Sequence, residues 1–250
     1  MQAISARDVE ASRHIHKPDG DVSMGPPNWR TNYFGKKSDG QLKNAPQVFR
    51  IDMPSEKIVK SHFHAVDQYQ VFVSGSGNLG RNAIPTLCVH YVDHHTGYGP
   101  IVAGVGGFSY FTFRARTDSG AVYLETPGYR ERLKPSKKRH HSVSNIVLSI
   151  DPVMAAREVV QAETVISAEE DGLCSVLLRA GAGMTVTCPD PQGSGGQFVF
   201  VVNGDLMVDD NLYPQYSVIW VDANDAALRC QAGPNGAEAL ILQFPADSSE

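Results

Sequence analysis

Ser61-His-Phe-His-Ala-Val-Asp-Gln-Tyr-Gln-Val-Phe-Val-Ser-Gly75 places His62 and His64 two apart, Gln68 four residues further on, and Gly75 after an apolar run. A strand turns every second side chain to the same face, so the two imidazoles point at one spot, roughly 7 Å apart along the backbone. Neutral imidazoles held in that way suit a divalent metal.

Outward from this stretch the chain is punctuated by 23 glycines and 15 prolines that separate short apolar runs: Val48 to Ile51, Tyr69 to Val73, Leu87 to Val92, Phe108 to Phe113, Ala121 to Leu124 and Ile146 to Ile150. Runs of this length, rich in Val, Ile, Phe and Tyr, read as strands. The second half repeats the scheme from Val176 to Phe244. Gln68 followed by six residues and Gly75 parallels Gln197 followed by six residues and Gly204, and an Asp-Gly pair precedes each (Asp39-Gly40 and Asp171-Gly172). An internal duplication explains the match. In the second copy the positions equivalent to His62 and His64 hold Pro191 and Gly193, which carry no metal-binding side chain.

The first copy resembles the first motif of the cupin superfamily, G-x5-H-x-H-x3or4-E-x6-G. His62, His64 and Gly75 match it at the right spacing, and Gln68 stands where the family has Glu. The resemblance implies an all-β chain of two tandem cupin (double-stranded β-helix, or jelly-roll) barrels. Residues 1–45 are expected to form an N-terminal arm, 46–150 a first barrel with the site, and 151–250 a degenerate second barrel. A helical pattern over Asp151 to Ala162 follows the boundary.

The resemblance also implies a divalent transition metal, Fe, Mn, Ni or Zn, held by His62, His64 and Gln68 with one further His. Gln offers a neutral carbonyl oxygen in place of a carboxylate and leaves the site more positive. The family's second motif, laid on Gly97 to Phe111, puts Gly107 where the last ligand belongs. His90, in the strand Leu87 to Val92, is one replacement; His140 or His141 is another. Arg50, Tyr69, Phe72, His94, His95 and Arg114 are the expected pocket or substrate-binding residues, with Tyr98 among the aromatics nearby. An arginine suits an anionic substrate because it pairs with a carboxylate through two parallel hydrogen bonds.

A net charge of -5 and a charged fraction of 20% give no reason to expect nucleic acid. The apolar runs are too short for a membrane-spanning helix, and no signal peptide is recognisable at the N-terminus, so a cytoplasmic protein is expected. The four cysteines form no CxxC pair and are expected to be reduced and packed. Two functions remain open. One is a metal-dependent enzyme acting on a small organic molecule, oxygenase-like or an isomerase or lyase. The other is a small-molecule-binding or structural bicupin that has lost its metal. A homodimer is expected in either case.

Overall fold

Alternating apolar positions and glycine-rich turns produce antiparallel sheet throughout. In a computed structural model that describes residues 1–16, 24–35 and 45–246, 51% of the described residues are strand and 7% helix. The architecture is two cupin-type jelly-roll barrels in tandem. Asp39-Gly40 lies outside the described residues. The chain divides into one unit of residues 12–146 and a second made of residues 1–11 and 147–250.

In the first unit the sheet runs His140–Val143, Cys88–Val92, Gln68–Leu79, Ile101–Arg114, Gln47–Met53, Asn28–Phe34 and His14–His16, each paired with the next. A short pair, His62–Phe63 with Val122–Tyr123, lies apart from it. Register follows the period of two. Phe72 stands opposite Tyr110 between strands Gln68–Leu79 and Ile101–Arg114, and both join Phe49, Ile51, Met53 and Phe108 in one buried cluster. Burying an aromatic or branched side chain contributes about 1.5–3 kcal/mol, so this cluster sets which face of each strand points inward.

Gly75 fixes where those two long strands bend. Its φ is +77°, and a Cβ there would lie 2.2 Å from the Gly107 carbonyl oxygen, beside a bulge between Ala103 and Phe108. Glycine alone has both the conformation and the room. The second unit repeats the device: Gly204 has φ +67°, and its Cβ would lie 2.2 Å from the Gly236 oxygen. Gly107 and Gly236 follow Gly75 and Gly204 by the same number of residues.

The second unit is a sheet ordered Gln2–Ile4, Val218–Val221, Gln197–Val208, Arg229–Gln243, Cys174–Ala180 and Gln161–Ile166. Its interior is apolar, built from residues such as Leu178, Val199, Leu206, Ile219 and Ile241, and leaves a cavity of only about 10 Å3. All four cysteines are free and buried.

Some local expectations differ from the structure. Residues 2–4 pair with Val218 to Trp220, and Asn28–Phe34 is a strand pairing with Gln47–Met53, with a register shift between Asn32 and Phe34, so the N-terminal region carries sheet as well as connections. The apolar run Ile146 to Ile150 forms no strand; it covers the passage from one unit to the next, with Val147 and Ile150 exposed. The helix after it stops at Ala155, because β-branched Val159 and Val160 lead into the strand Gln161–Ile166.

Replacing Gly75 or Gly204 by alanine is expected to destabilise the protein by about 2 kcal/mol or more, since each change combines a left-handed φ with a backbone collision. Urea unfolding of both variants measures this; losses below about half a kcal/mol would contradict the close approach.

Candidate functional site

His62 and His64 point into the first barrel, and the structure fixes the proton on each ring. His62 Nδ1 lies 2.7 Å from the Lys60 carbonyl oxygen, which only accepts, so Nδ1 carries the hydrogen and Nε2 the lone pair. His64 Nδ1 donates to Asp118 Oδ2 at 2.7 Å, again leaving Nε2 with the lone pair. Asp118 also accepts from the Gly120 and Ala65 backbone N–H groups, at 2.8 and 3.3 Å.

Both lone pairs are occupied. Tyr98 Oη lies 2.8 Å from His62 Nε2, and Arg114 donates from NH2 to His64 Nε2 at 3.1 Å. Arg114 and Tyr98 are joined through Gln68. A guanidinium has no acceptor, so the Gln68 oxygen faces Arg114, receiving Nε–H at 3.1 Å and NH2 at 2.9 Å. The Gln68 amide nitrogen therefore donates to Tyr98 Oη, at 2.6 Å. With that oxygen accepting from Gln68, the tyrosine proton turns to His62. The result is a buried chain running from Arg114 through Gln68 and Tyr98 to His62 and the Lys60 carbonyl. Arg114 Nη1 reaches Gln47 Oε1 at 2.8 Å and Asp118 Oδ2 at 3.3 Å.

Gln47, His62, His64, Tyr98, Arg114 and Asp118 line a cavity of about 310 Å3, within the range of small-ligand sites, with Gln68 behind them. Phe49, Ile51, Val59, Tyr110 and Tyr123 supply apolar wall, and Arg30 adds a second buried guanidinium. Burial, reinforced by His64, pushes His62 down to about 3, so its ring is neutral at ordinary pH. Burial and then Arg114 lower His64 as well. Burial alone would raise the Asp118 carboxyl, but His64, Arg114 and the Gly120 N–H outweigh it and keep the group ionised.

Of the residues expected from sequence, His62, His64, Gln68 and Arg114 come together. The others lie elsewhere. Arg50 points away from the cavity and is paired with Asp52 at 2.8 Å, because Gln47, Phe49 and Ile51 take the inward face of that strand. Tyr69 is on the opposite face from Gln68 and packs on Tyr91. Phe72 belongs to the apolar cluster. His94 donates to Asp67, which raises its pKa; His95 packs on Phe63. His90 is buried against Tyr98 and His140, with Nδ1 2.9 Å from the Ser142 hydroxyl, and does not line the cavity. His140 and His141 pair with the Cys88–Val92 strand, and a Cβ at Gly107 would meet the Met53 oxygen. Sequence reasoning passed over Arg30, Gln47 and Asp118: the first fell in the supposed arm, and the last sits in a turn with no periodic signal.

A divalent metal would sit about 2.1 Å from each imidazole nitrogen. Those nitrogens already accept from Tyr98 and Arg114, and the Gln68 oxygen is held by the same arginine. Arg114 is permanently charged and stands against the place a cation would need. Among the described residues no group of three or more His, Cys, Asp or Glu is arranged to hold a metal ion. The side chains in this arrangement do not fit one.

No protein-family model matches the chain. No curated protein matches it in sequence. Among solved structures it resembles a candidate dioxygenase from Nostoc punctiforme PCC 73102, with a TM-score of 0.63 and 12% identity over 100% of this chain and 84% of that one. It also resembles the Lactobacillus farciminis oxalate decarboxylase in complex with formate, with a TM-score of 0.58 and 8% identity over 98% and 86%. A variant of the Bacillus subtilis oxalate decarboxylase gives 0.57 and 11% over 100% and 78%. At such identities the likeness is one of fold. No helix among the described residues is long and apolar enough to cross a membrane.

Two outcomes test the buried chain. An unfolded histidine takes up its proton near pH 6.5, whereas folded His62 resists until about 3, so between those values the unfolded state binds more protons. Stability should therefore fall as pH drops through that window, and His62→Gln should flatten the slope in urea midpoints measured from pH 7 to 4. Tyr98→Phe removes the hydroxyl between His62 and Gln68, leaves His62 Nε2 and the Gln68 amide nitrogen unpaired, and should cost about 1–3 kcal/mol by the same measurement.

Proposed function

We propose that residues 12–146 form a metal-independent, cupin-type pocket that binds a small organic molecule. The observation carrying this reading is that both imidazole lone pairs facing the cavity are occupied from within the protein, one by Tyr98 and one by Arg114, while the cavity beside them keeps room for a ligand. Arg114 supplies the positive charge that a metal would otherwise bring. Binding is favoured over turnover because the two groups that would act as bases already accept protein hydrogen bonds. The oxalate decarboxylase crystallised with formate supports a ligand of small size in a barrel of this fold. The second unit, with its filled interior, serves as scaffold.

Protein purified without chelators is expected to contain less than about a tenth of an equivalent of transition metal, with a melting temperature insensitive to added chelator. A thermal-shift screen of small metabolites should find ligands for the native protein, and Ala121→Trp, which fills the cavity from its wall, should weaken them at least about tenfold. Stoichiometric metal that is lost in His62→Ala and His64→Ala would overturn the proposal in favour of the metal-dependent oxygenase, isomerase or lyase.

A further inference from the structure

The two buried guanidiniums of the cavity are not equivalent. A guanidinium presents five N–H donors. Arg114 makes four hydrogen bonds, two to Gln68 and one each to Gln47 and His64, and is ion-paired with Asp118. Arg30 uses only Nε–H, given to Asn32 Oδ1 at 2.7 Å. The remaining four N–H groups meet no acceptor among the described residues, although Arg30 is only 8% exposed.

Nor does Arg30 have a countercharge there. Asp118, the one acid among the described residues that line the cavity, is taken up by His64, Arg114 and two backbone N–H groups. Arg30 lies with its guanidinium carbon 3.7 Å from the centroid of the Phe49 ring, and Arg114 faces the same ring at 5.5 Å. Burial and the nearby Arg114 lower Arg30 to about 10, still well above neutral pH, so it stays charged. A buried cation in this state is costly unless something pairs with it.

We propose that Arg30 anchors the carboxylate of the ligand, which makes the ligand a small organic acid whose apolar body lies against Phe49, Ile51 and Tyr110. The assignment rests on the reading of this cavity as a small-molecule pocket. One carboxylate matches both the single unpaired buried charge and the planar fork of free N–H groups. Arg132 also lines the cavity but is exposed, so Arg30 is the buried guanidinium with N–H groups to spare, and a phosphate, at about -1.5 to -2, would bring more charge than it balances alone.

The test uses the full chain, with acetate, butyrate, benzoate and phenylacetate, their amides, and inorganic phosphate, read by thermal shift and calorimetry. At least one acid should raise the melting temperature while its amide and phosphate do not. Arg30→Gln should lower that acid's affinity by about tenfold or more and raise the melting temperature of the ligand-free protein, having removed an unpaired buried charge. Arg30→Lys, which keeps charge without the fork, should fall between. Arg50→Gln, on the outward face, should bind like the native protein. Amides that bind as well as acids would overturn the charge assignment and leave the pocket standing. Phosphate binding in place of the acids would overturn the carboxylate, and an acid that binds Arg30→Gln unchanged would overturn the anchor. Silence from acids, amides and phosphate, with no ligand from a wider screen, would overturn the pocket itself.

Discussion

A permanently charged guanidinium inside a β-barrel is the constraint from which the first unit's interior follows. Arg114 is 4% exposed, and such a group is tolerated only when its donors are met. Gln47 reaches it from the neighbouring strand, Gln68 from the strand on the other side, Asp118 from the turn that follows, and His64 from just past the short strand His62–Phe63. Each of these is buried and polar for that reason. The cavity exists because the space beyond them is walled by polar heads and aromatic rings and not packed shut by aliphatic side chains.

The second barrel shows the alternative solution in the same frame. Counting from the paired glycines, Gln243 takes the place of Arg114, and Gln197, opposite it in register, takes that of Gln68. Without a charge to satisfy, Gln197 donates to the Pro189 carbonyl, and Val, Leu and Ala fill the interior. Gln68 is thus one residue with two uses: a strand-end amide common to both barrels, recruited in the first to connect a cation to a tyrosine.

The fold was legible because a period of two and a glycine that only one backbone conformation explains are both written locally. The pair His62 and His64 was legible for the same reason. What lay hidden depends on contacts between distant segments. Nothing near Arg30 in sequence distinguishes it from a surface arginine; it becomes a buried cation only when Asn28–Phe34 pairs with Gln47–Met53. Asp118 is a turn aspartate until it meets His64, 54 residues away in the chain. Arg50 misled for the converse reason, since its neighbourhood on the chain was right and its face was wrong. His62 and His64 both line the cavity, but what they face could not be read from their spacing.

The buried chain from Arg114 to His62 has a polarity, fixed at one end by the donors of Arg114 and at the other by the Lys60 carbonyl, and Gln68 transmits it. An amide has an accepting end and a donating end; with the first turned to Arg114, the second must drive the tyrosine proton onto His62. A glutamate at this position, as in the motif the stretch resembles, would accept at both ends. Tyr98 would then give its proton to residue 68, and the His62 lone pair would be released toward the cavity beside a new negative charge. A one-atom difference in a buried side chain therefore separates a barrel that closes His62 internally from one that presents it.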